Sequence, residues 1–321
     1  MSDAYRELAS RHNLGDSVRY RRLLEYLMTP QQAELAVLLP ADNKELSQKL
    51  KRSEASIAKD IDALFRNGVV FPKNFQTNAG GRFACGVTQL HDATQSSAGT
   101  KKKLFDLWED FCVGEYFKIL ATGDLAKEQP TGRVIPAYRS IMDIPGILPS
   151  EDVREILKVA HPIVVVPCPC RARSDGIGKS CAHTVIDNCM QFNRGAEYSI
   201  ARGSGEELTF QEALAMTDET EEHGLVHTYW NRADIHRNNI CHCCDDCCFG
   251  WVAHNATGIS MHSHWAKSRF EARVEQDLCD GCQDCVERCG FEAISLQKVS
   301  GSKKMKAVVD PEKCFGCGVC V

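Results

Sequence analysis

The chain has 321 residues, of which 43% are hydrophobic and 25% charged, with a formal net charge of −5. That balance suits a folded chain of about two or three domains, and it excludes wholesale disorder and a polycation built to neutralise nucleic acid. No apolar run approaches the ~18 residues a spanning helix needs, and the charged N-terminus has no apolar stretch of a secretory signal. Cysteine is the departure: there are 18, and only Cys85 and Cys112 precede Cys168. Without an export signal the chain is expected in the cytoplasm, where disulfides are disfavoured. Its cysteines are therefore expected to bind metal or do redox chemistry.

Residues 19–39 read as helical. Asp42 is expected to cap a short helix carrying Leu46 and Leu50. After a turn at Lys51-Arg52, Ser53 caps a second helix with Ile57, Ile61, Leu64 and Phe65 on one face. Asn67-Gly68 ends that helix, Val69-Val70-Phe71 reads as a strand, and 78–81 as the turn of a hairpin returning through Arg82-Phe83. Helix, turn, helix and a two-stranded wing resemble a winged helix-turn-helix, over roughly residues 20–90. The resemblance implies DNA binding, but charge opposes it. Residues 1–100 carry 13 Lys and Arg against 11 Asp and Glu, and the would-be recognition helix, 54–66, has Lys59 and Arg66 against Glu54, Asp60 and Asp62. Such a helix repels phosphates, so a scaffold or docking role is expected instead. Cys85 and Cys112, the latter on an aromatic-rich helix over 104–120, read as buried apolar residues rather than ligands.

Residues 91–102 read as a polar linker and 132–149 as irregular connecting chain. Ser150 is expected to cap a helix running to Val159, with Glu151 and Asp152 in its first turn. Ile163-Val164-Val165-Val166 reads as a buried strand that runs into Pro167-Cys168-Pro169-Cys170-Arg171. Alternating prolines would hold that segment extended, so that Cys168 and Cys170 project to one side. Cys181 and Cys189 bring the thiols to four, as many as a [4Fe–4S] cube takes. A strand-and-loop stretch is expected over 195–208. Thr209 with Glu212 forms a capping box for a helix through Glu222, and 225–229 reads as a strand.

Cys241, Cys243, Cys244, Cys247 and Cys248 then crowd into eight residues around His242, Asp245 and Asp246. Neighbouring cysteines rarely reach disulfide geometry, so metal is the better account. Structural zinc and metal-free reactive thiols are the competing readings. Nine cysteines divide as two four-ligand clusters with one left over, or as one ordinary and one unusual cluster. A strand ending in CPCR followed by a CxCCxxCC run resembles a group of poorly characterised iron–sulfur proteins of anaerobic microbes. That resemblance implies an N-terminal winged-helix-like part and a C-terminal ferredoxin domain.

The tail carries the sharpest pattern. Cys279, Cys282, Cys285 and Cys289 have the spacing of the bacterial ferredoxin run, and Cys314, Cys317 and Cys320 begin a second copy. This resembles a bacterial-type two-cluster [4Fe–4S] ferredoxin domain. The resemblance implies that Cys289 joins Cys314, Cys317 and Cys320 on one cluster. Cys279, Cys282 and Cys285 would need a fourth thiol near position 324, so the domain reads as cut short at Val321. Gly290 stands where the family usually has proline. The basic stretch 297–306 reads as a docking surface or a solvated hairpin tip.

The expected architecture is α+β and multidomain: a winged helix-turn-helix over 1–100, a central cysteine-rich α/β domain over 101–265, and a C-terminal ferredoxin-like domain over 266–321. The expected function is single-electron relay through [4Fe–4S] clusters, two in a complete ferredoxin domain and one or two more in the centre. The partner would be a redox protein or oxidoreductase complex, with nucleic acid not expected and no membrane span. The rivals are a redox- or iron-sensing regulator that binds DNA, and a reductase whose substrate meets Arg171, Arg173 and His242 at the central cluster. No nucleotide-binding glycine motif is present; Gly178-Lys179-Ser180 lacks the first glycine of a phosphate loop.

Overall fold

A computed structural model describes all residues except 1–2, 79, 97–98, 123–129, 131, 184–187 and 233–234. The chain divides into two units whose segments interleave. Unit 1 comprises Met1–Ile119, Val166–Cys181 and Glu197–Glu206; unit 2 comprises Leu120–Val165, Ala182–Ala196 and Glu207–Val321. Among the described residues, no helix is long and apolar enough to cross a membrane.

Unit 1 is mainly helical, and its N-terminal helices begin at side-chain caps. Ser17, Thr29, Asp42 and Ser53 each accept a backbone N–H from the first turn that follows. The stretch 19–39 is two helices, Val18–Leu27 and Pro30–Val37, because Met28 is extended and Pro30 opens the second under a Thr29–Gln32 capping box. Helices Asn43–Leu50 and Glu54–Arg66 follow, and Ile57, Ile61, Leu64 and Phe65 are buried. Strands β1 (Val70–Phe71) and β2 (Arg82–Phe83) then pair antiparallel; residue 79 of the turn expected between them lies outside the described residues. Gly68, at φ +79, ends the Glu54–Arg66 helix, and a Cβ there would lie 2.4 Å from the Ala93 carbonyl oxygen.

Three expectations fail in this unit. Half of the supposed linker is helix: Val87–Gln95 buries His91, Thr94 and Gln95, and the Trp108 indole N–H donates to Thr94 Oγ1 at 3.0 Å. Polar composition misled there because polar groups of this helix find partners inside it: Thr94 Oγ1 donates to the Leu90 carbonyl at 2.7 Å and Gln95 Nε2 to the His91 carbonyl at 3.1 Å. Cys112 is buried, but Cys85 is exposed. The CPCR segment is not extended beyond Cys168, because Pro169 is the first residue of helix Pro169–Gly176. Proline suits that position, where its missing N–H is not needed and its fixed φ is already helical.

Unit 2 is built on a seven-stranded sheet of β3 (Gly132–Ile135), β4 (Ile163–Val166), β5 (Cys189–Phe192), β6 (Glu206–Leu208), β7 (Val226–Trp230), β8 (Asn239–Cys243) and β9 (Trp265–Ala266), in the order β6-β4-β5-β8-β7-β3-β9. β3 lies in the stretch read as irregular; it is short and bounded by Gly132 and Pro136, which hides it. The strand-and-loop reading of 195–208 is also wrong: helix Asn193–Arg202 precedes β6. Gly195 is there because a Cβ would meet the Asn238 carbonyl oxygen at 2.6 Å, so it marks a close approach and not a break. Asp152, rather than Ser150, caps helix Val153–Val159.

Strand alternation sorts the sheet into two faces. Ile135, Met190, Phe192, Tyr229 and Ile240 pack with helices Val153–Val159 and Phe210–Glu222 in one apolar cluster. Val134, Val226, Cys243 and, at its edge, Cys241 join a second cluster on the other side, with Trp251 and Trp265. The tail reaches that second cluster through Phe291, Phe315, Cys317 and Val319. Its hairpin pairs β10 (Ile294–Lys298) with β11 (Met305–Val309), Leu296 opposite Ala307.

Candidate metal centres

In the tail, tight loops gather the cysteines. Gly316 and Gly318 sit at φ +65 and +71, and a Cβ would come within 2.2 Å of the Phe270 carbonyl oxygen at the first and 2.0 Å of Ser140 Oγ at the second. Only glycine meets both demands, so the Cys314–Cys320 loop lies flat against its neighbours. Ala137 N–H donates to the Cys317 carbonyl at 2.8 Å, which docks the loop onto the sheet side of unit 2. Burial, chiefly, pushes the Cys317 thiol up to about 12 and the Cys320 thiol to about 11; Cys289 and Cys314 lie close enough to both to add to the rise. Four thiols so placed fit an iron centre, whose positive charge compensates what burial makes costly for thiolates alone. Cys279, Cys282 and Cys285 form a second neighbourhood in the same way. Backbone N–H groups already serve the sulfurs: Ala293 donates to Cys289 Sγ at 3.3 Å and Ala307 to Cys279 Sγ at 3.4 Å.

Each unit carries some of the central cysteines. In unit 1, Cys168 and Cys170 touch through their thiols across the first turn of helix Pro169–Gly176, and this contact, with burial, raises Cys168 well above the ordinary thiol range. Cys181 closes a segment of this unit. Beside the pair, Arg171 and Arg173 are 1% and 2% exposed, and Arg173 is paired with Glu109, which also holds Lys179 at 3.1 Å. Neither guanidinium is presented to solvent as a substrate contact would be.

In unit 2, strand register does the gathering. Met190 lies opposite Ile240 and Gln191 opposite Asn239, which carries Cys189 toward Cys241 at the next position of the ladder. Thr228 faces Cys241 and Val226 faces Cys243 across β7. Cys241 contacts both Cys189 and Cys243, and these neighbours, with Asn239, hold its thiol well below the ordinary range. Cys243 in turn contacts Cys248, the residue that caps helix Phe249–Thr257. Cys244 and Cys247 have their sulfurs within 4.8 Å of each other and of an Asp246 oxygen.

The carboxylates of this loop are engaged. Ala182 N–H donates to Asp246 at 2.7 Å, and Asp245 meets His183 Nε2 at 3.4 Å, which lowers the Asp245 pKa and raises that of His183. Asp245 also explains the glycine after Cys289: a Cβ at Gly290 would lie 3.0 Å from Asp245 Cβ. His242 points to the other face and is 2% exposed, its Nδ1 2.7 Å from His227 Nδ1 and 3.3 Å from Thr220 Oγ1. His227 Nε2 meets Glu221 at 3.1 Å. This buried Thr220–His242–His227–Glu221 chain went unnoticed in the sequence; the paired positions of His227 and His242 on β7 and β8 were its only signal.

Comparison with known proteins agrees with the tail. Residues 278–321 match the family model described as 4Fe-4S dicluster domain. Ferredoxin-3 of Nostoc sp. (strain PCC 7120 / SAG 25.82 / UTEX 2576) is 25% identical over 77 residues, covering 20% of this chain and 79% of that protein. No solved structure matches the chain. The C-terminal part is therefore a 4Fe–4S dicluster domain with ferredoxin homology, which makes the chain an iron–sulfur protein and implies electron transfer.

Proposed function

We propose that the chain relays single electrons through [4Fe–4S] clusters to or from a redox partner, an oxidoreductase or a complex of one. The observation that carries this reading is the shared apolar core of unit 2, where Cys317 of the tail and Cys243 and Cys248 of the centre join one cluster of buried residues. Cys289, Cys314, Cys317 and Cys320 hold one cube, and Cys279, Cys282 and Cys285 supply three thiols of the other. The central cysteines Cys168, Cys170, Cys181, Cys189, Cys241, Cys243, Cys244, Cys247 and Cys248 hold one or two more. When bound, such clusters accept and release one electron at a time. The chain's own part is to hold the sulfurs and keep water out: Phe291 stacks on Phe315 at 4.2 Å between ring centroids and tilts against Trp251 at 5.0 Å. Arg171, Arg173 and His242 are all buried, with Arg173 paired to Glu109 and His242 to Thr220 and His227, which weighs against a substrate among them.

The N-terminal helices and hairpin, read as a winged-helix-like module, serve docking and not DNA reading. Two basic side chains at its would-be recognition helix are spent on its own acids, Arg52 on Asp60 and Arg66 on Asp62. Protein purified without oxygen should be brown and contain clearly more iron and sulfide than one cube per chain. Stoichiometric zinc without visible absorption overturns the reading. A mobility-shift assay at physiological salt should show no sequence-specific DNA affinity in either redox state. Nanomolar, redox-dependent binding would put the regulator first.

A further inference from the structure

The central cysteines are too many for one cube, and the sheet of unit 2 selects among them. We propose that Cys189, Cys241, Cys243 and Cys248 form one complete [4Fe–4S] site, with Cys244 and Cys247 outside it; this rests on the reading that the centre binds iron and sulfide. Cys189, Cys241 and Cys243 share one face of β5 and β8, because their strand neighbours Met190 and Ile240 are buried on the other. Thiol contacts run in series from Cys189 to Cys241 to Cys243 to Cys248. Cys248 caps the nine-residue helix Phe249–Thr257 with no side-chain cap bond, so the N-terminal amides of that helix lie beside the site and favour negative charge.

The stronger observation is that three of the four sulfurs have their own polar side chain. Gln191 Nε2 donates to Cys189 Sγ at 3.3 Å, Asn239 Nδ2 to Cys241 Sγ at 3.7 Å, and Thr228 Oγ1 lies 3.5 Å from Cys243 Sγ. Neutral thiols make poor acceptors and need no such provision. Thiolates on a metal do, and donors of this kind fix ligands and set cluster potentials. Cys243 and Cys248 also belong to the same apolar cluster as Cys317, which puts this site beside the tail rather than at an isolated structural position.

The test uses the full chain, reconstituted anaerobically with ferrous iron and sulfide, with iron and labile sulfide counted and the reduced protein examined by electron paramagnetic resonance. Cys189→Ala and Cys248→Ala should each abolish the same cubane signal, with a loss of about four irons per chain or conversion to a three-iron centre. Cys244→Ala and Cys247→Ala should leave that signal in place. Retention in Cys189→Ala together with loss in Cys247→Ala overturns the ligand set. Iron in the unmodified chain no higher than the dicluster domain accounts for, or zinc in its place, overturns the underlying reading instead. Should the cysteine variants fail to fold, Gln191→Leu keeps every thiol and removes one donor. It should lower the midpoint of the central signal and leave those of the tail unmoved, and an unmoved central midpoint counts against the site.

Discussion

In the tail, Cys314, Cys317 and Cys320 come from one loop whose bends are set by Gly316 and Gly318, with Cys289 brought alongside. In the sheet, Cys189 and Cys241 come from distant parts of the chain and meet because β5 and β8 pair in one register. Both groups reach the same apolar cluster. A loop-borne ligand set travels with its own short segment and depends little on what surrounds it. A strand-borne set depends on a ladder, and a slip of one residue turns each side chain to the opposite face. The first kind leaves a spacing that can be read along the chain; the second leaves none.

The largest expected effect breaks the comparison at that point. Inserting one alanine between Cys189 and Met190 takes Cys189 out of line with Cys241 and should abolish the central signal while sparing the tail. Inserting one alanine after Gly301, in the hairpin tip between β10 and β11, should spare both. Electron paramagnetic resonance of the two insertion variants reads the outcome. A central signal that survives the first insertion would mean that the register of β5 and β8 does not assemble the site.

That asymmetry also explains what could be read from the sequence. The ferredoxin spacing, the Asp42, Ser53 and Thr209 caps and the β-branched run at Ile163–Val166 are local, and the structure shows each of these caps and the strand. Cys168, Cys170 and Cys181 lie in one unit and Cys189 in the other, and the pairing of β5 with β8 brings Cys189 beside Cys241, which position along the chain does not reveal. The short helix at Pro169 and the strand at Gly132 were missed because proline and glycine there serve a first turn and a tight packing site. A Cβ at Gly132 would lie 3.1 Å from the Trp265 ring.

A second effect, smaller than loss of a cluster, probes what the two groups share. Phe291 is 8% exposed and packs on both Phe315 and Trp251. Phe291→Ala removes most of that buried ring and should cost about 3–5 kcal/mol. If the core is common property, both kinds of signal should become labile together, bleaching at lower denaturant and lower temperature. Loss of the tail signal alone, with the central one as robust as before, would mean that the two sites are supported independently.

The smallest expected effect concerns potential and not stability. Asp245 and Asp246 lie in sequence between Cys243 and Cys248, two of the ligands proposed for the central site. A reduced cluster carries one more negative charge than an oxidised one, so fixed carboxylates nearby disfavour the added electron, and partial burial keeps solvent from screening them fully. The His183 contact holds Asp245 below the ordinary carboxylate range, so its charge persists at neutral pH, but the same histidine offsets part of it. Replacing both by asparagine keeps the shape and removes the charge. The midpoint of the central signal should rise, while the tail potentials move less. A redox titration followed by electron paramagnetic resonance decides it, and a central midpoint that stays put or falls would place these carboxylates out of electrostatic reach of the cluster.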